Sequence, residues 1–168
     1  RNWDFKDNGP VSLKGNWEFY WNELVTPSNL LWRTKSPDYI EAPSPWNYYE
    51  KGQKYTGSGF ATYHIKVLLD GKPDQLGVYL PDQESAYNLY IQNVLVKSNG
   101  HVSQKPDSFV PQYLPSVTFF ENNSKEIYIT LQISSFKHKN GGMINSIWLG
   151  NYSQIQRKRE NNLLFELF

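Results

Sequence analysis

From Ala61 to Lys66 apolar and polar residues alternate one for one, and Val67 and Leu69 carry the apolar set on. Ala61, Tyr63, Ile65, Val67 and Leu69 form one set, with Thr62, His64 and Lys66 between them. Side chains two apart on an extended chain share a face, so this run buries its apolar set as a half-covered strand. Ile127, Ile129, Leu131 and Ile133 repeat the pattern around Tyr128, Thr130 and Gln132. Tyr87, Leu89 and Ile91 do so again around Asn88, Tyr90 and Gln92. Shorter strands are predicted at 17–21, 76–80, 94–97, 117–120 and 144–149.

Chain reversals separate these runs. Asp70-Gly71-Lys72-Pro73 ends the first, Gln92-Asn93 sits where a two-residue hairpin turn belongs, and Asn99-Gly100 and Gly141-Gly142 are further turns. Eight or so short strands at this spacing describe an all-β sandwich with jelly-roll or Greek-key connections. Composition agrees. Aromatics make up 16% of the 168 residues, and alanine, the best helix former, stands only at Ala42, Ala61 and Ala86. Residues 22–31 read as a short helix or an irregular loop. From Gln154 to Phe168 the chain is first polar, then apolar at Leu163, Leu164, Phe165, Leu167 and Phe168, so a helical or extended tail is expected.

Net charge is +1 and cysteine is absent. Nothing in the bulk electrostatics favours nucleic acid, and no thiolate metal site or disulfide framework can form. From its abrupt start and end the chain is expected to be a segment of a larger protein.

Catalytic patterns are missing. His64, His101 and His138 are scattered, without metalloenzyme spacing, and there is no nucleophile elbow. Gly57-Ser58-Gly59 lacks the lysine and the helix of a phosphate loop. Asp82 and Glu84 read as a strand end rather than an acid/base pair. No catalytic residue, metal or cofactor is expected.

Binding is better served. A pocket for a small polar ligand needs apolar walls and a few placed polar groups. The outward positions Asn88, Tyr90, Tyr128 and Gln132, with His64, line either a ligand site or a solvated, partner-facing sheet. Trp17, Phe19 and Trp21 read as core. Trp46, fixed in the loop Ala42-Pro43-Ser44-Pro45-Trp46, either plugs one end of the sandwich or lines a cleft. His138 lies in the loop Ser135-Phe136-Lys137-His138-Lys139-Asn140-Gly141-Gly142, as a binding residue or as part of a plain surface loop. Trp46, Tyr63, His64, Asn88, Tyr90 and His138 are the ligand-binding candidates, although alternation turns Tyr63 inward.

An ordered set of motifs resembles a known family. Leu13-Lys14-Gly15-Asn16-Trp17-Glu18-Phe19-Tyr20-Trp21 looks like its L-x-G-x-W-x-F-Y-W opening. Pro43 to Trp46, Gly57 to Tyr63, Tyr87 to Asn93 and Ser135 to Gly142 then match its later elements in order. Two positions depart: Gln92-Asn93 replaces Asn-Gly, and Ser135 replaces Asn. The family is the extracytoplasmic sensor domains of bacterial seven-transmembrane receptors with diverse intracellular signalling modules. The layout is also similar to the sugar-binding jelly roll of the β-galactosidase and β-glucuronidase group.

The resemblance implies a galactose-binding-like jelly-roll sandwich over 1–152 and a juxtamembrane tail over 153–168. It implies a sensor on the periplasmic or extracellular side of a bacterial inner membrane. Its partners would be a carbohydrate or other small polar ligand and the receptor's own membrane region and cytoplasmic output module, a kinase or cyclase. The alternatives are a protein-interaction module that forms homodimers, and an accessory carbohydrate-binding domain of a secreted glycosidase.

Overall fold

A computed structural model describes residues 3–49 and 55–166. Among them, ten strands make two antiparallel sheets. The larger sheet sets β3 (Asp38–Ala42), β2 (Gly15–Trp21), β4 (Gly59–Leu68), β9 (Glu126–Ser135), β6 (Ala86–Ile91) and β7 (Val94–Asn99) side by side. The smaller sets β1 (Val11–Ser12), β10 (Trp148–Asn151), β5 (Gln75–Leu80) and β8 (Ser116–Glu121) in that order. The molecule is a jelly-roll β-sandwich, as alternation and turn chemistry predict.

The alternating runs do the packing. β4 and β9 pair over ten residues, from Gly59 opposite Ser135 to Leu68 opposite Glu126. Ile127, Ile129, Leu131 and Ile133 of β9 are all fully buried, facing Leu76, Val78 and Leu80 of the smaller sheet in one core. Each such side chain contributes about 1.5–3 kcal/mol of burial, so β9 is a large part of what joins the two layers, together with Trp17, Tyr63, Tyr87 and Leu89 of the same core. The two-residue turn at Gln92-Asn93 closes the β6–β7 hairpin, with Gln92 at φ 53°.

Some elements differ from expectation. β1 and β3 were not foreseen: one is too short to show a period, and the other carries Asp38, Tyr39 and Glu41 exposed on a sheet edge. The predicted strand over 144–149 pairs only from Trp148 onward. Upstream, the Asn145 N–H donates to Gln83 Oε1 (3.2 Å) and Asn145 Nδ2 to the Asp82 carbonyl (2.6 Å), so side chains take the place of a ladder. Asp82 and Glu84 form a turn, with the Glu84 N–H donating to Asp82 Oδ1 at 2.8 Å.

Two short helices, α1 (Phe5–Asn8) and α2 (Pro27–Leu30), precede the tail, which is itself a helix, α3 (Tyr152–Glu166). Its start is a capping box on Asn151 and Gln154. The Gln154 N–H donates to Asn151 Oδ1 at 3.0 Å, and the Asn151 N–H donates to Gln154 Oε1 at 3.2 Å. The helix lies on the outer face of the smaller sheet. Ile155 is buried over Gly77, Tyr152 meets Phe119 at 4.3 Å between ring centroids, and Lys158 Nζ stands 3.7 Å from the Trp148 ring centroid. Leu163 and Leu164 remain exposed, and the closing residues 167–168 of the predicted tail lie outside the described residues. Among the described residues no helix is long and apolar enough to cross a membrane.

Candidate functional site

Strand register arranges the outward side chains of the larger sheet in rows. One row runs Glu18, His64, Thr130, Tyr90, Leu95 across β2, β4, β9, β6 and β7. The next runs Tyr20, Thr62, Gln132, Asn88, Ser98. Lys66 and Tyr128 form a third on β4 and β9.

A crossing segment covers the second row. At the end of β2 the chain turns through Asn22, at φ 56°, and passes over the sheet as far as α2 (Pro27–Leu30). Thr62 Oγ1 accepts the Val25 N–H at 2.9 Å and donates to the Glu23 carbonyl at 2.7 Å. Gln132 Nε2 donates to the Val25 carbonyl at 3.0 Å. This explains why Thr62 and Gln132 are buried although they face away from the core. Buried polar groups need partners, and the segment supplies them.

Between this segment and the β6–β7 turn lies a cleft of about 470 Å³. Pro27, Leu30 and Leu31 make its apolar wall, and Gln92 and Asn93 stand on the side of the turn. His64 and Tyr128 lie flat together in the lining, with ring centroids 5.9 Å apart and planes 11° from parallel. His64 Nδ1 is hydrogen-bonded with Thr130 Oγ1 at 2.9 Å, which fixes the ring. Burial pushes the imidazole below its ordinary value of 6.5, and the Glu18 carboxylate pulls it partly back. Glu18 and Tyr20 complete the lining, with the Tyr20 hydroxyl donating to Glu18 Oε2 at 2.9 Å. Gln92 is tied to β9, its Nε2 donating to the Glu126 carbonyl at 3.0 Å and its Oε1 accepting the Tyr128 N–H at 3.1 Å. Flat aromatic surface, an apolar wall, the Asn93 amide and a carboxylate make a surface suited to a small ligand with one apolar face and several polar groups.

The candidates from sequence divide sharply. His64 lines the cleft. Asn88 and Tyr90 share the sheet face but not the cleft lining. Asn88 is engaged within the fold: Nδ2 donates to Gln132 Oε1 (3.1 Å) and Oδ1 accepts from Ser98 Oγ (2.8 Å). Trp46 and Tyr63 are 0% exposed and belong to the core, a correction to their placement as ligand contacts. Trp46 is a plug. Its Nε1 donates to the Thr56 carbonyl at 2.7 Å, and its ring meets Trp21 edge-on at 5.1 Å. The Tyr63 hydroxyl accepts the Met143 N–H at 3.1 Å, so alternation placed this residue correctly. His138 lies three residues beyond β9, at one end of the sandwich, paired with the Tyr113 hydroxyl at 3.1 Å and apart from the cleft.

Sequence reasoning missed Glu18, Tyr20, Gln92 and Asn93 as cleft residues. A signal existed for the first two: they alternate with Trp17, Phe19 and Trp21 and so face outward, although only register sets Glu18 beside His64. A larger recess, about 1300 Å³, runs along the edge strand β3 past Tyr39, Tyr48 and Tyr49.

No protein-family model and no curated protein matches the chain. Solved structures do. A GH2 β-galacturonidase from Eisenbergiella tayi bound to galacturonate aligns at a TM-score of 0.56 and 13% identity, over 83% of this chain and 24% of that one. The β-glucuronidase of Ruminococcus gnavus in complex with D-glucuronic acid aligns at 0.59 and 13%, over 83% and 29%. The Faecalibacterium prausnitzii β-glucuronidase gives 0.59 and 11%, over 83% and 31%. The chain thus spans about a quarter to a third of these enzymes. At such identity the likeness establishes the fold: this is a β-sandwich of the kind those GH2 glycosidases contain.

Proposed function

We propose that the chain is a ligand-sensing domain that holds a small polar, carbohydrate-like molecule in the His64–Tyr128 cleft without transforming it. The observation that carries this reading is the cleft itself. Two parallel rings lie in its lining beside an apolar wall, with the side chains of Glu18 and Asn93 available to hydroxyl groups, while the Gln92 amide is held by the Glu126 carbonyl and the Tyr128 N–H. The resemblance to GH2 glycosidase domains fits a carbohydrate-like ligand by analogy of fold.

The same proposal places the domain on the periplasmic or extracellular side of a membrane-bound signalling receptor, and the ordered sequence motifs support that placement. Ligand that favours one arrangement of the crossing segment shifts the population of that arrangement. The core between the sheets connects the cleft to α3 on the opposite face, and through α3 to whatever follows it.

Calorimetric titration with neutral mono- and disaccharides tests the binding claim. Saturable binding that His64→Ala and Tyr128→Ala each weaken at least about tenfold supports it, since stacked aromatic contacts are worth about 1–3 kcal/mol. A saccharide whose binding ignores both substitutions sinks the placement. No binding, together with concentration-dependent dimerisation, favours the interaction module, for which Trp32 at 84% exposure and Leu31 beside the cleft are the natural contacts. The reading frame beyond Phe168 separates the two settings: membrane spans match the receptor, and a catalytic barrel matches the glycosidase.

A further inference from the structure

The charges around the cleft are matched in pairs, with one exception. Arg33 stands 4.8 Å over the Tyr20 ring and is held by Glu23 through two hydrogen bonds, one of them Nη2 to Oε1 at 3.0 Å. Lys66 lies 5.8 Å from the Tyr128 ring centroid and is held by Glu126 Oε1 at 2.7 Å. Glu126 is completed by the Tyr128 hydroxyl, which donates to Oε2 at 3.0 Å. Each cation near the cleft therefore has its own carboxylate.

Among the described residues Glu18 has no ion-pair partner. Its Oε2 takes a neutral hydrogen bond from Tyr20. It is also the one cleft-lining residue of those described that carries a formal charge at neutral pH. Its cross-strand neighbour His64 does not compensate, because burial favours the neutral imidazole. A lone carboxylate in a half-covered cleft attracts a cation and repels an anion, and the aromatic rings beside it suit an ammonium group.

We infer that the cleft prefers a ligand bearing a protonated amine, seated against Glu18, over its neutral counterpart, and that it rejects the corresponding carboxylate. This rests on the reading of the cleft as a carbohydrate-like site and narrows it to amino sugars. Among ring-shaped polyols of one size, charge at a single substituent then decides occupancy.

Three probes of near-equal shape test the inference: glucosamine, glucose and glucuronate, titrated into the protein at about pH 6.5, where an amine of the α-amino type is protonated. Glucosamine should bind roughly tenfold tighter than glucose, the range of a charge-assisted hydrogen bond, and glucuronate should bind more weakly than glucose. Raising the salt concentration should shrink the gap between glucosamine and glucose. Glu18→Gln keeps an acceptor for the Tyr20 hydroxyl and should bring glucosamine and glucose to equal affinity. Circular dichroism shows whether the fold of the variant survives, and the readout is the ratio of the glucosamine and glucose affinities rather than either affinity alone. Glucose and glucosamine binding alike to the unmodified protein, or glucuronate binding best, overturns the inference and leaves the cleft reading intact. Failure of all three to bind overturns both.

Discussion

Ile155 of α3 sits directly on Gly77 of β5: a Cβ on that glycine would lie 2.9 Å from the Ile155 Cβ and 2.9 Å from the Phe119 ring. Gly150, beside it on β10, leaves room for the Ile155 Cδ1, which would stand 3.4 Å from an added Cβ. Two facing glycines thus open a saddle in the outer face of the smaller sheet, and the helix enters it through one buried side chain.

Gly77→Ala is accordingly expected to push α3 off its seat at a cost of about 1–3 kcal/mol, the range for an overpacked contact. Hydrogen exchange should quicken at the amides of α3 while β4 and β9 keep their protection. Unchanged exchange in the helix would show that the saddle does not hold it.

Trp46 gives a test between plugging and ligand contact. Trp46→Ala should cost about 3–5 kcal/mol in urea unfolding, since a fully buried indole leaves a large cavity. Trp46→Phe keeps most of the ring and loses the bond to the Thr56 carbonyl, for about 1–3 kcal/mol. Saccharide affinity in Trp46→Phe should match the parent protein. A large loss of affinity in a folded Trp46→Phe protein would return Trp46 to the binding site.

The strands were legible because each signal was local. The alternation through Ala61–Leu69 and Ile127–Ile133 needs no knowledge of the partner strand. The Asn151–Gln154 capping box was also written in the sequence, three residues apart, at the start of the predicted tail. The cleft was not legible, because it depends on register and on a crossing. Nothing local says that Glu18 stands opposite His64, or that 22–31 folds back over Thr62 and Gln132. Trp46 shows the reverse difficulty: its loop placement fits a plug and a cleft-lining residue equally, and its complete burial with the bond to the Thr56 carbonyl decides.

His64 makes a pH prediction with a definite sign. Its folded-state value is depressed by burial, so between that value and 6.5 the unfolded chain binds the proton more readily. Stability therefore falls as pH drops through 6.5 and levels off below the folded-state value. Thermal midpoints between about pH 7.5 and 5, the range of histidine titration, should decline in the parent and decline less in His64→Gln. Equal slopes in the two proteins would assign the acid sensitivity elsewhere.

Thr62 links the fold to the cleft, because its one hydroxyl serves both the Val25 N–H and the Glu23 carbonyl of the crossing segment. Thr62→Val preserves the shape and strands both groups against an apolar methyl. The expected cost is about 1–3 kcal/mol per unsatisfied buried group, reduced where the freed segment lifts and takes up water. That lifting matters for binding, since Pro27, Leu30 and Leu31 of the same segment form the apolar wall. Thr62→Val should therefore weaken saccharide binding several-fold although Thr62 does not line the cleft, and the exposed Trp32 fluorescence should respond to ligand less than in the parent. Gln132 donates to the Val25 carbonyl beside it, so Gln132→Leu should produce the same pair of effects. A destabilised Thr62→Val protein with full affinity at a temperature where it stays folded would show that the wall is rigid without its anchor.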